Sequence, residues 1–456
     1  MAGLIEQVEF LTSQNGGQQV LNAGYRYRLN VRRQVATHWK CVQTGCKGRC
    51  STIGDYIRGV TDHCHPPEAQ EELRLLSRLR NRVQNEVSPV QQLYEDEVGT
   101  MDPVVAAVMP NFHSIKSSLY HHRRKTRPVL PQVRQEVNLE GAWTTTTDGL
   151  AFLCVDDGEE DKILIFATDE MLNIMQEAET LFMDGTFYVC PRLWYQLYSI
   201  HCMVDKVMFP VAYALLPNKT RETYVRLFTL LNTAVQTRTG TEPSPRFIQT
   251  DFEAAAIKAT QDVYPDADIR GCFFHYCQAV LRNVAEKGLA VEYKTNPEIQ
   301  RHVRRAAALL PLDQVRDVWV DVMEEGPQIP RVLQFNDYMT ETWVDFDARF
   351  STFLWNQHAN IGPRTNNHLE GFHSKLKNRM RKAHPTVFEF ITHIKIVEST
   401  NRAKRAQLNL GAAPPPRRRI YTDIDNRLQR LMQHLRTGRK TPLQFLDAAG
   451  HPLKMD

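Results

Sequence analysis

Asp184, Asp251 and Glu370 are the carboxylates whose surroundings make them candidates for chemistry. Asp184 sits in TLFMDGTFYV, among Leu, Phe, Met and Thr. A charged carboxylate in such a strand is costly unless it is paired or bound to a metal. Asp251 ends the apolar stretch of PRFIQTDF, and α/β sheets gather their ligands at strand ends. Two divalent ions need a third acid, and Glu370 in RTNNHLEGFHSKLKNRM is the best placed. Pro363 and Thr365–Asn367 read as the start of its helix. Three carboxylates shared by two Mg²⁺ or Mn²⁺ ions suit phosphodiester cleavage, where such ions activate the nucleophile, neutralise charge and stabilise the leaving oxygen. Each acid also has a plainer reading: a turn at Asp184-Gly185, an N-cap at Asp251, a surface helix acid at Glu370. Cys272-x-x-His275 has the spacing of half a zinc site. Cys277, Cys190 or Cys202 could complete it; otherwise it is a buried thiol and a histidine beside the acids.

A second group lies near the start of the chain. HWKCVQTGCKGRC, residues 38–50, holds Cys41, Cys46 and Cys50, and His63, Cys64 and His65 follow. Zinc takes four S or N ligands in a tetrahedron, with short loops joining each pair. Cys41-x4-Cys46 supplies one pair and His63-x-His65 another, both imidazoles facing one way if the segment is extended. Cys50 could replace Cys46, and Cys64 would point away from its neighbours. The chain has nine cysteines, an odd number, and its first residues lack a basic-then-apolar leader. A reducing, intracellular setting is expected, and it favours metal over disulfides. Phe10, Leu21, Tyr25, Tyr27 and Trp39 form a spaced apolar set with strand character. So small a module needs such aromatics plus a metal for a core.

The elements that must position the acids form a pattern. GLAFLCV and DKILIFAT read as a hairpin around DDGEED; TLFMDGTFYV, LYSIHCMVD and VMFPVAYALLP are three strands, the last two joined by Asp205-Lys206. ETYVRLFTLLNTAVQ and EAAAIKATQDVYP are helical, PRFIQTDF is a buried strand, and ADIRGCFFHY reads as another strand. Three strands, helix, strand, helix, strand is the order of a ribonuclease-H-like mixed α/β sheet. In that arrangement the strands of Asp184 and Asp251 are neighbours.

Net charge is only +4, so positive charge is local rather than general. Arg26, Arg28, Arg32 and Arg33 flank the cysteines; Lys375, Lys377 and Arg379 follow Glu370; PPPRRR ends at Arg419. Such patches suit phosphate contact, or are simply solvated surface. No run approaches the eighteen apolar residues of a membrane span, so no membrane role is expected. EAQEELRLLSRLRNRVQNEV, after Pro66 and Pro67, is helical, and so is MPNFHSIKSSLYHHRRKTRP, with Ile115, Leu119 and Tyr120 on one face. The two make either a helix-turn-helix-like unit or a helical linker. NRAKRAQ, a flexible GAAPPPRRR and a helical RLQRLMQHLR segment form the tail.

Two resemblances stand on these residues. Phe10, Leu21, Tyr25, Trp39, Cys41, Cys46, His63 and His65, in that order, resemble a FLYWCH-type zinc finger over residues 1 to about 66. The resemblance implies Cys41, Cys46, His63 and His65 as ligands of one structural Zn²⁺, and a module that binds DNA or protein. MDGTFYVCP, QTDFEAAAIKA, GCFFH and TNNHLEGFHSKL resemble the core of Mutator-like element (MULE) transposases over roughly residues 150–400. That resemblance implies Asp184, Asp251 and Glu370 as the acidic triad holding two catalytic Mg²⁺ or Mn²⁺ ions. It also matches Cys272 and His275 to an auxiliary Cys-x-x-His motif, and residues 278–360 to a helical insertion whose Arg301–Arg305 and Trp343 or Trp355 lie near DNA. The expected organisation is a finger at 1–67, a helical linker at 68–140, a ribonuclease-H-like core at 141–400 and a basic tail at 401–456. The expected function is a nuclear transposase, oligomeric, acting on transposon ends and target DNA. The alternative is a domesticated, catalytically silent DNA-binding protein or transcription regulator.

Overall fold

The computed structural model describes residues 7–13, 17–86, 88–125, 128–306, 308–358, 360, 367–416 and 419–450. Contacts divide the chain into a unit at 1–130 and another at 131–456. Among the described residues no helix is long and apolar enough to cross a membrane.

The first unit opens with a six-stranded antiparallel meander, β1 (Glu9–Thr12), β2 (Gln18–Asn22), β3 (Tyr25–Arg32), β4 (Thr37–Cys41), β5 (Arg49–Ile53) and β6 (Tyr56–Val60). Strand alternation puts Tyr27, Trp39 and Cys50 on one face, where they form a small core with Val8 and Val20. The Trp39 indole N–H donates to Thr52 Oγ1 at 3.0 Å, so the buried ring leaves no polar atom unsatisfied. Gly24 turns the β2–β3 hairpin at φ +84°, and a Cβ there would lie 2.5 Å from Pro67. That contact, with the Glu68 N–H donating to the Gly24 carbonyl, ties the segment after the histidines back to the sheet. Four helices follow: α1 (Gln70–Asn85), α2 (Val90–Gly99), α3 (Pro103–Ala107) and α4 (Phe112–Lys125). Leu75, Leu79, Val83, Leu93 and Leu119 make their core, with Ile115 packed against it. Tyr120 is exposed instead, because it lies one position past Leu119 and turns off the buried stripe.

The second unit holds a seven-stranded mixed sheet. Its strands are β7 (Leu153–Asp156), β8 (Leu164–Phe166), β9 (Thr180–Thr186), β10 (Gln196–Val204), β11 (Val207–Leu216), β12 (Phe247–Thr250) and β13 (Asp268–Gly271). In space they run β13-β12-β9-β10-β11-β8-β7. β9, β10 and β11 are antiparallel neighbours, whereas β12 and β13 join parallel beside β9. This is the ribonuclease-H-like arrangement, extended at one edge by the β7–β8 hairpin. α5 (Asp169–Glu177), α6 (Arg221–Thr239) and α7 (Ala254–Val263) link the strands, and α6 packs against Tyr198 through Tyr224 and Phe228.

Beyond β13 the structure departs from expectation. The apolar run ADIRGCFFHY does not stay extended: the strand stops at Gly271, and α8 (Phe273–Glu286) begins behind Cys272. Phe273, Tyr276, Val280, Asn283 and Val284 are buried at helical spacing, a period the first ten residues are too short to reveal. α9 (Ala290–Thr295), α10 (Pro297–Arg304), α11 (Val315–Glu325), α12 (Pro330–Met339) and α13 (Thr352–Trp355) complete an all-helical insertion with its own core. Trp343 and Trp355 belong to that core and are 1% and 3% exposed, so neither is available to DNA. Their rings pack with Tyr276 and Phe350, which offers more apolar burial than a solvent-facing site could. Arg305 is likewise buried and ion-paired to Asp447 and Glu325, while Arg301 remains exposed.

The chain then returns to the sheet through α14 (Asn367–Met380) and α15 (Val387–Asn409). Pro363, Thr365 and Asn366 lie outside the described residues, so the helix start expected there is not described. Arg405 at the far end of α15 is buried and bridges Glu398 and Glu170. Finally α16 (Arg419–Arg436) and α17 (Pro442–Ala449) set Leu428, Leu431, Phe445 and Leu446 into the insertion core, so this part of the tail is packed rather than free.

Candidate functional site

Two sites emerge, one in each unit. In the first, Cys41 ends β4 and Cys46 follows a tight turn, while His63 and His65 lie beyond β6. One donor atom from each of the four lies within 4.8 Å of all the others, and no other group of three or more metal-binding side chains does so among the described residues. Cys41 Sγ is 3.2 Å from His65 Nε2, and Cys46 Sγ is 3.4 Å from His63 Nδ1. Bonds of about 2.3 Å to sulfur and about 2.0 Å to nitrogen place such atoms about 3.6 Å apart at a tetrahedral angle. The donors thus fit one zinc.

The surroundings prepare each ligand. Backbone N–H groups of Gln43 and Gly48 donate to the Cys41 and Cys46 sulfurs at 3.4 and 3.3 Å, which favours thiolates. The Cys64 N–H, then that of Gly48, brings Cys46 down to about 6. His65 Nδ1 can donate to the Pro66 carbonyl at 2.9 Å, leaving Nε2 free for metal. His63 Nε2 meets the Tyr27 hydroxyl at 2.8 Å, leaving Nδ1 toward Cys46. Tyr25 stacks on the His63 ring at 3.8 Å, and a Cβ on Gly48 would lie 2.4 Å from that ring. The two open questions about ligands resolve on geometry. Cys50 is buried in the sheet core, where burial pushes its thiol up to about 12. Cys64 borders Cys46 without joining the four-donor set.

The arginines before the cysteines do not form one patch. Arg26 is ion-paired to Glu68 at 2.7 Å. Arg28 faces Lys40 across the strands, but the register shifts between Leu29 and Val31, so Arg32 faces Thr37 on the Trp39 side. Arg33 lies in the following turn, its N–H bonded to Ala36.

The acidic site is built by sheet register. β12 runs parallel to β9 with Gln249 beside Phe182. Two residues further along each chain are Asp251 and Asp184, so the same offset brings their carboxylates together on one face. Asp184 is 5% exposed. Burial, then the nearby Asp251, raises its carboxyl well above the usual range, and Glu370 adds to this. Burial also raises Asp251 and Glu370. Asp251 Oδ1 accepts from the Glu253 N–H at 3.4 Å, a local turn bond, while Glu253 rather than Asp251 precedes α7. Among the described residues no lysine or arginine pairs with any of the three acids at ion-pair distance.

Histidines approach them instead. His275, in the first turn of α8, puts Nε2 3.7 Å from Glu370 Oε1. His373, one turn after Glu370 on α14, puts Nδ1 3.5 Å from Asp184 Oδ2. Its Nε2 lies 3.0 Å from Ser199 Oγ, which lies 3.1 Å from His201 Nε2. Burial depresses all three imidazoles, His373 to about 4, which keeps them neutral at pH 7. The His373–Ser199–His201 chain was not singled out in the sequence. A histidine amid LYSIHCMV, and another at i+3 from Glu370, were its signals. Cys272 is fully buried, and no third ligand gathers with it and His275 among the described residues, so no second zinc site is assembled. Lys377 continues the Glu370–His373 face and lies 4.8 Å over the Tyr188 ring. Lys375 has Lys404 and Arg379 near it, and burial and then these like charges lower it.

Comparison with known proteins agrees with this division. The model of the FLYWCH zinc finger domain matches residues 10–65, and that of the MULE transposase domain matches residues 180–279. The chain is also similar to FLYWCH-type zinc finger-containing protein 1 of Mus musculus, 33% identical over 97 residues. That match covers 20% of this chain and 14% of the relative's length. The chain therefore carries a FLYWCH zinc finger followed by a MULE transposase domain, and a transposase domain implies DNA binding.

Proposed function

We propose that this chain is a DNA transposase that cuts and joins DNA at Asp184, Asp251 and Glu370, working in the nucleus as an oligomer on transposon ends and target DNA. The observation that carries the reading is the convergence of two buried carboxylates on adjacent parallel strands, with no lysine or arginine at ion-pair distance among the described residues. Such a pair persists at the expense of stability, which points to use. The donor set is all carboxylate oxygen, which suits hard divalent cations. Asp184 and Asp251, with Glu370 from α14, would hold two Mg²⁺ or Mn²⁺ ions, spread wider than the single-ion sphere of the zinc site. Held there, such ions would supply charge neutralisation at the phosphate and activation of water and then of a 3′-hydroxyl. His373 orients Asp184 through its Nδ1–H, and its other nitrogen accepts from Ser199. His275 stands beside Glu370 as a neutral neighbour. Lys375, Lys377 and Arg379 supply cations for the DNA strand, and the zinc finger anchors one DNA end.

The test is Mg²⁺-dependent nicking and strand joining on DNA carrying the element's own flanking ends, with wild type beside Glu370→Gln and Asp184→Asn. Activity in wild type that disappears in both variants, with DNA binding kept, is the expected result. Cleavage retained by either variant refutes the triad. Zinc-dependent binding with no cleavage in any of the three proteins identifies the silent, domesticated DNA-binding protein instead.

A further inference from the structure

The face of the finger's sheet opposite its core carries cations in register. Arg28 of β3 pairs with Lys40 of β4, and Lys40 pairs with Arg49 of β5. On the other side of Arg28 stands Gln19 of β2. These positions alternate with Tyr27, Trp39 and Cys50, so their side chains leave the sheet together on the other face. Neighbouring strands lie about 4.8 Å apart, which sets three cations side by side. Like charges directly opposite one another destabilise a sheet.

Among the described residues none of the three has an acid at ion-pair distance, although the unit has acids to offer. Glu68 is taken by Arg26, Glu9 and Glu71 by Arg74, and Glu97, Glu86 and Asp96 by Arg78 and Arg82. Arg74, Arg78 and Arg82 of the helical part are matched to acids, whereas the row on the sheet has none at ion-pair distance among the described residues. Arg28 and Arg49 are exposed and Lys40 half-buried, so all three can reach a ligand. The row is held in place at its end by the Arg49 N–H, which donates to Thr61 Oγ1 at 2.7 Å.

We propose that Arg28, Lys40 and Arg49, with Gln19 as a neutral hydrogen-bonding neighbour, form a single phosphate-binding row whose ligand is the backbone of duplex DNA. This rests on the DNA-binding part of the reading above, though not on its chemistry. A row of cations with no aromatic among its members lacks the stacking platform of a single-strand binder. Duplex DNA offers the densest line of phosphates to such a row. The row also separates residues that the sequence grouped together: Arg28 belongs to it, whereas Arg26, neutralised by Glu68, and Arg32, on the opposite face, do not.

The experiment uses the full, zinc-loaded chain and a labelled DNA duplex, with affinity measured across a salt series. In the Arg28→Gln/Lys40→Gln/Arg49→Gln variant the slope of log K against log salt should flatten by about 2.7, at about 0.9 for each phosphate contact. Lys40→Gln alone should flatten it by about 0.9, while Arg26→Gln keeps the wild-type slope. Zinc content and circular dichroism establish that each variant is folded; if the triple variant is not, Lys40→Gln decides. A folded variant with unchanged slope and affinity overturns the row, and so does a preference for single-stranded over duplex DNA that the variant abolishes. Wild type with no salt-dependent DNA binding sinks the DNA-binding reading itself and the row with it. Loss of cleavage alone touches neither.

Discussion

Replacing His373 with glutamine should change how the stability of the second unit depends on pH. Burial, and then the neighbouring His275, lowers this imidazole from its ordinary 6.5 to about 4. Its side chain is 12% exposed, so solvent screens little of the effect. At about 1.4 kcal/mol per pH unit, the difference is worth up to about 3.4 kcal/mol. The folded value is the lower one, so on acidification the unfolded chain takes up the proton first. The contribution is therefore complete above about pH 6.5 and is lost as pH falls toward 4. The three acids act in the opposite sense. Burial raises them, so their contribution is present at low pH and lost as pH rises through their folded values. Wild type sums these opposed slopes, and His373→Gln removes one of them. Urea unfolding in Mg²⁺-free, zinc-containing buffer measures the result by tryptophan fluorescence, since Trp143, Trp194, Trp319, Trp343 and Trp355 all lie in this unit and only Trp39 in the other. The stability of wild type relative to the variant should be greatest near neutral pH and shrink by up to about 3.4 kcal/mol on approaching pH 4. Parallel curves for the two proteins would falsify the claim that a buried, neutral His373 stands beside Asp184.

The remaining expectations concern both sites. Purified protein should contain one tightly bound zinc per chain, absent from Cys41→Ser by elemental analysis; Cys50→Ser should keep its zinc while losing about 1–3 kcal/mol of stability, because a buried hydroxyl replaces an inert thiol. If Cys50→Ser loses the metal instead, the ligand set is wrong. Gly48→Ala drives a methyl into the His63 ring and should weaken zinc binding by about 10–100-fold in a chelator competition; unchanged affinity refutes the close packing. Asp184→Asn removes the cost of ionising one of two facing buried carboxyls. In Mg²⁺-free buffer at neutral pH it should melt higher than wild type, by roughly 2–4 °C for each kcal/mol regained, and a lower melting temperature contradicts the repulsion.

Much of this was legible in the residues themselves. Asp184 and Asp251 stood out because a charge among Leu, Phe and Ile has a large energetic cost, and that cost is written in local composition. The order of strands and helices followed from periods of two and 3.6, which are also local. Cys41, Cys46, His63 and His65 showed by type and spacing that a metal was wanted. What composition and spacing left open was the choice among thiols. Cys50 differs from Cys46 only because sheet register turns it into the core beside Trp39, and register is a long-range property. The same holds for Cys272 and His275. The run they belong to reads as a strand in the sequence, and only packing in the insertion core makes its second half a helix. Trp343 and Trp355 looked available and are buried, because the insertion and α16–α17 close around them. The pairing of His373 with Asp184, and of Arg28 with Lys40 and Arg49, joins residues with no pattern in common along the chain. A sequence can announce the price of burying a charge, but only the tertiary fold chooses which side chains come to stand beside it.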